Sequence, residues 1–234
     1  MRKLIALLLG LIMLGMMPLA GAEIVIPDDL DMSIPQTEPL GAGLLLGETQ
    51  RTQGLPLTEH KVEIGEDGII TVTAADVTFT AVMPFGMVGF TQDIMLQMQQ
   101  YLDFFNSPRG AVEFMINNGL ALLVFEAATG EEYHMQVYQN GTSQLFHDLR
   151  EEKTGDAYVK LLVDSTPEGH ERTDARINGQ RYVRVLEPDV DGFVLLYLTV
   201  VNGYSVMVRQ FVDEKPTEEV EARLKELVEG ITFH

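Results

Sequence analysis

The chain predicts an α+β domain, an antiparallel β-meander flanked by helices. Two observations near its C-terminal end carry that prediction. Asn178-Gly179, Asp191-Gly192 and Asn202-Gly203 are dipeptides that accept the positive φ of tight hairpin turns, and they separate four strand-like runs between Arg172 and Val212. Beyond Asp213 the apolar period changes from two to 3.6, and Val220, Leu224, Leu227, Val228 and Ile231 fall on one helical stripe.

Within the meander, Arg181 to Leu186 alternates, Phe193 to Val201 is almost wholly apolar, and Tyr204 to Val212 carries Tyr204, Val206, Val208 and Phe211. A near-continuous apolar run suits a central strand covered on both faces. The helix that follows has Pro216 and Thr217 at its start, with Glu218, Glu219 and Glu221 at the positive end of its dipole. Glu219 with Arg223 and Glu221 with Lys225 are expected as i,i+4 pairs, worth ~0.2–0.5 kcal/mol each. Gly230 is expected to stop the helix, and Ile231-Thr232-Phe233 to return as a short strand. The helix is expected to pack on the meander.

The chain of 234 residues opens with Met1-Arg2-Lys3, an apolar run from Leu4 to Met17, and Pro18-Leu19-Ala20-Gly21-Ala22. A basic start, an apolar centre and an Ala-x-Ala site are the parts of a secretory signal peptide. The run is too short for a membrane span of ~20 residues. Residues 1–22 are therefore expected to be cleaved after Ala22, leaving a secreted, extracytoplasmic protein that is not anchored in the membrane. Residues 23–60 carry Pro27, Pro35, Pro39 and Pro56 among glycines and acids, and are expected as a flexible acidic linker, with Leu44 to Leu46 able to dock on the domain. Residues 61–234 form the single domain.

Its first half reads in order as strands at Lys61 to Ile64, Ile69 to Thr73 and Val77 to Met83, the last ended by Pro84. Gln92 to Phe105 has helical spacing, and Ser107-Pro108 and Asn118-Gly119 read as the start and end of a second helix. Leu120 to Ala127 and Tyr133 to Tyr138 flank Thr129-Gly130 as a hairpin. Thr142-Ser143 is expected to cap a short helix carrying Leu145, Phe146 and Leu149. Asp156 to Asp164 fits helix or strand, and Thr166 to Arg172 is a polar connector.

Losing Arg2 and Lys3 with the leader leaves 14 basic against 35 acidic residues, a charge of −21. Such a surface disfavours nucleic acid and anionic lipid as partners. The chain contains no cysteine, so an exported protein here relies on its core in place of disulfides, and a cysteine nucleophile is excluded. Ser33, Ser107, Ser143, Ser165 and Ser205 lack the glycine-flanked elbow of a serine hydrolase. His60, His134, His147, His170 and His234 are scattered, without the paired spacing of a zinc protease. No catalytic or cofactor-binding residue is assigned.

Two groups are metal candidates. Glu187, Asp189 and Asp191 cluster before Gly192, but an EF-hand count from Asp189 meets Val200 where the closing acid belongs, and a hairpin turn between two strands is the favoured reading. Glu132 and His134 are alternate residues on one strand face, and an exposed polar face explains them without a metal. Asn140-Gly141-Thr142 is a glycosylation sequon only in a host that uses it, and otherwise a turn with a cap. The bulky aromatics, Phe114 and the Phe104-Phe105 edge included, belong to the core or to a partner groove.

A strand pair ending in Pro84-Phe85-Gly86, then helices, a hairpin, the Asn178-Gly179 and Asn202-Gly203 meander and a helix ending in Ile231-Thr232-Phe233 resembles the Mog1/PsbP-like α+β fold. In particular it resembles uncharacterised small secreted proteins of Gram-positive bacteria, over roughly Ile69 to His234. The resemblance rests on turn and core residues and implies fold and compartment; its fold relatives bind proteins or assist assemblies. The expectation is an exported, non-enzymatic, monomeric domain that engages an unknown protein or cell-envelope partner. The alternative is a carboxylate- and histidine-based hydrolase or a small-ligand, calcium-binding protein.

Overall fold

The computed structural model describes residues 54–94 and 110–234. The leader, the linker up to Gln53, most of the expected helix from Gln92 to Phe105, and the Ser107-Pro108 start lie outside the described residues. In chain order, β1 (Leu55–Pro56), β2 (Lys61–Ile64), β3 (Ile70–Ala74), β4 (Val77–Ala81) and β5 (Met87–Phe90) precede α1 (Gly110–Asn117). The hairpin of β6 (Leu120–Glu126) and β7 (Glu132–Gln139) leads into α2 (Gly141–Arg150) and α3 (Asp156–Asp164). Then come β8 (Glu171–Ile177), β9 (Gln180–Asp189), β10 (Gly192–Val201), β11 (Tyr204–Val212), α4 (Glu218–Glu229) and β12 (Ile231–Phe233).

The expected meander forms one half of a large antiparallel sheet of order β5-β6-β7-β11-β10-β9-β8, with β1 added to the far end of β7. The four strands of a second sheet, β12-β4-β3-β2, stand where the sequence places strands, but their pairing into a separate sheet is not in the sequence reading, and neither is β5. β5 has only four residues after the tight Pro84-Phe85-Gly86 turn, too few to show a period. The terminal strand pairs with β4, across almost the whole domain in sequence, and not with the meander.

Side-chain parity explains how the layers assemble. On β10, Leu195, Tyr197 and Val201 face one core, while Val194, Leu196, Leu198 and Val200 face another. The first core is closed by Ile70, Val72, Val77 and Phe79 of the small sheet and by Leu224, Leu227 and Val228 of α4. The second is closed by Tyr158, Val159 and Leu162 of α3. Both faces of β10 are covered, which is why its run is continuously apolar. Each fully buried Leu or Val on α4 contributes about 1.5–3 kcal/mol by leaving water.

Several local expectations are corrected. The linker does not reach His60, because Leu55 and Pro56 pair with Gln139 and Tyr138, and Leu57 N–H donates to Val137 O at 2.8 Å. Asn140, not Thr142 or Ser143, caps α2: its side chain accepts from both their amides. Leu145 and Leu149 on that helix are exposed, and only Phe146 of the expected trio packs inward. Asp156–Asp164 is helical. In the β9–β10 hairpin the central residues are Val190 and Asp191, because Asp189 pairs with Gly192. Gly192 is required for another reason: its φ is +155°, and a Cβ there would lie 2.2 Å from Val212 O.

Neither predicted i,i+4 pair on α4 forms, and the same residues take other partners, two of them on the large sheet. Glu221 engages Arg184 on β9, Arg223 engages Glu126 on β6 and Glu226 one turn on, and Lys225 pairs with Glu229. Gly230 ends the helix with a right-handed φ of −73°, so its role is close approach: a Cβ would sit 2.2 Å from Val82 O.

Candidate binding site

The β7–β11 ladder sets Arg209 opposite His134, Met207 opposite Gln136 and Ser205 opposite Tyr138. These residues project from the face of the large sheet that α3 covers. His134 is 3% exposed, held edge-on between Phe114 of α1 at 5.3 Å and Phe211 of β11 at 5.6 Å between ring centroids. The expected exposed polar strand face is therefore wrong at His134. The residue lies on an internal strand of the sheet, and Phe114 and Phe211 cover its ring.

Burial holds the His134 pKa below its ordinary 6.5, opposed by Glu132 and reinforced by the Arg209 charge, so the ring is neutral at pH 7. Neither ring nitrogen has a hydrogen-bond partner; Glu132 Oε2 lies 4.0 Å from Nε2, beyond hydrogen-bond length. Gln136 donates to Asn118 O at 2.6 Å, at the end of α1, while its side-chain oxygen has no partner. Arg209 is 6% exposed, its guanidinium 4.9 Å from the Phe211 ring centre and its Nε without a partner. Phe114 and Phe211 themselves are 40% and 47% exposed, so the polar cluster sits directly beneath an aromatic surface.

The sequence candidates do not converge elsewhere. Glu187 is buried beside His170, whose Nδ1 lies 3.3 Å from its Oε2, whereas Asp189 turns to accept from its neighbour Val190 N–H at 2.9 Å and Asp191 is exposed. Among the described residues no group of three or more His, Asp or Glu side chains is placed to hold a metal ion. The Asn140 sequon is buried: its amide donates to Tyr158 Oη at 3.0 Å and Ser205 Oγ at 3.2 Å. That side chain is committed to the core and is not an acceptor for sugar.

Sequence reasoning missed Arg209 and Gln136 as site residues. Gln136 is flanked by Met135 and Val137, and Arg209 stands with Gln210 at the polar end of an apolar run, so each reads as a solvent-facing strand position. The available signal was their place: Arg209 lies in a strand of a meander whose neighbour is apolar on both faces, and a polar residue there has little water to face.

No family model matches the chain, and no curated protein matches it. The solution structure of cyanobacterial PsbP (CyanoP) from Synechocystis sp. PCC 6803 is similar, with a TM-score of 0.34 and 14% identity, over 80% of this chain and 100% of that one. At that degree of superposition, the class of protein is defined by the strand order itself: an α+β domain of antiparallel sheets flanked by helices. Among the described residues no helix is long and apolar enough to cross a membrane.

Proposed function

We propose that the chain is an exported, non-enzymatic interaction domain that recognises a protein or cell-envelope partner. The observation that carries this reading is the half-exposed aromatic pair Phe114 and Phe211, an apolar surface bracketing buried polar groups on an otherwise strongly acidic molecule. Aromatic side chains over buried polar anchors are the composition of an interface centre. The three-part leader supports export, with maturation at Glu23.

The test uses mature residues 23–234 as bait against envelope and culture-medium fractions of the producing organism, alongside the Phe211→Ser variant. A partner held by the wild type and released by the variant is the expected outcome. Equal capture by both, or none by either, overturns the assignment of this face. Recovery of a chain beginning at Glu23 from the medium checks export independently.

A further inference from the structure

Of the two buried arginines among the described residues, Arg172 donates to Leu162 O at the C-terminal, negative end of α3. Arg209 has no such partner. It forms no ion pair among the described residues, its Nε is unpartnered, and its guanidinium lies over Phe211. A buried cation without a counter-charge is costly, and structures do not keep one without compensation. Carboxylates on the same face lie against other groups: Glu132, half exposed, is 4.0 Å from His134, Glu187 of β9 lies beside His170, and Asp174 of β8 accepts from Arg181. Beside Arg209, two imidazole nitrogens and the Gln136 side-chain oxygen are also unpartnered.

These groups point to one ligand chemistry. A guanidinium fork matches a carboxylate with two parallel hydrogen bonds, and an imidazole N–H beside it supplies a third. Phe114 and Phe211 form the roof, where an apolar or aromatic body would rest. Both are half exposed, and admitting such a group requires their rings to turn aside. We propose that Arg209 and His134 form a subsite for a carboxylate carried on an apolar or aromatic body, a reading that rests on this aromatic face being the partner-binding face.

Two sources present such a group, a free aromatic acid and the C-terminal end of a partner chain, and two probes separate them. Phenylacetate and acetyl-Ala-Ala-Phe with a free C-terminus are titrated into the mature protein, following the His134 ring and Arg209 Nε–H resonances by NMR. The C-terminal amide of the same peptide is the control. The expected result is saturable shifts at both residues with the acids and none with the amide. Tighter binding of the peptide identifies a chain end, and equal or tighter binding of phenylacetate a small acid.

Arg209→Met should lose roughly ten- to hundredfold in affinity. It should also melt at a higher temperature than the wild type, because it removes an uncompensated buried charge. No shift with either acid, equal binding of the amide, or a lowered melting temperature in Arg209→Met overturns the subsite. If the partner is captured through Phe211 but indifferently to Arg209→Met, the subsite falls and the binding face stands. If capture does not depend on Phe211, both fall.

Discussion

The two faces of the large sheet solve the burial of charge in opposite ways. On the face covered by the small sheet and α4, Arg223 sends Nε and Nη2 to Glu126 Oε1 at 2.9 and 2.7 Å, and Tyr133 donates to the other carboxylate oxygen at 3.3 Å. That charge is neutralised inside the fold, and the core beneath it is apolar. On the face beneath Phe114 and Phe211, Arg209 has no ion pair among the described residues and His134 has no hydrogen bond. The first face is arranged for stability. The second carries polar capacity that folding leaves unused, which is what recognition requires.

If that contrast is right, truncations on the first face are destabilising in proportion to what they unseal. Leu227→Ala opens a hole where α4 meets the sheet, with a residue that has no exposed surface. A loss of about 3 kcal/mol is expected in urea unfolding monitored by far-UV circular dichroism. A loss below about 1 kcal/mol would mean that α4 is not sealed against the sheet.

Glu126→Gln tests the ion pair directly. It strands most of the Arg223 interaction and weakens the Tyr133 contact, both largely out of water. The expected cost is about 2 kcal/mol, below the value for a completely buried pair because Arg223 keeps some solvent. Opposite signs for Glu126→Gln and Arg209→Met would sharpen the comparison; the same sign for both would break it.

Acidification separates the buried imidazoles from the exposed carboxylates by pH. His134, on the second face, and His60, beside β2, are both held below 6.5 by burial. Between the folded and unfolded pKa values the unfolded chain binds more protons, so stability rises with pH there. It is fully present above about 6.5 and is lost as pH falls through that value towards the folded pKa. Glu171 and Asp174 behave differently. The Lys215 and Arg181 side chains hold their pKa values low, so their contributions are lost only further down, below the ordinary carboxylate range. His134→Phe should flatten the slope of unfolding free energy between about pH 7.5 and about pH 5.5, leaving the His60 part. An unchanged slope would place the proton uptake elsewhere.

Much of the fold was readable because its cues are local. Asn178-Gly179 and Asn202-Gly203 adopt the paired positive φ values that mark their hairpins, at 51° and 81°, and 51° and 82°. The stripe from Leu224 to Ile231 needs only helical spacing. What escaped is non-local. β12 pairs with β4 and β7 with β11, and nothing in the intervening sequence encodes those partners. The turn asparagines illustrate the difference: each dipeptide sets its own bend, but Asn178 also donates to Glu229 O and Asn202 to Asp76 O, at 2.7 Å each. The His134–Arg209 cluster is assembled by the same cross-strand pairing, so its chemistry was hidden in two strands far apart in the sequence.

The smallest expected effect bounds the comparison from the solvent side. Lys160 and Asp164 form an i,i+4 pair on the outer surface of α3, where both side chains are more than half exposed. Water screens that pair and side-chain entropy opposes it, so Lys160→Ala should change stability by no more than about 0.5 kcal/mol. Alanine's higher helix propensity offsets part of even that loss. A cost approaching that of Glu126→Gln would show that the surface of α3 carries as much electrostatic weight as the sealed face. The absence of a partner for Arg209 would then lose its meaning, because pairing would matter equally inside and outside the core. A cost near zero leaves burial as the variable that separates Glu126, Arg209 and Lys160, and makes the unpaired buried cation the unusual one of the three.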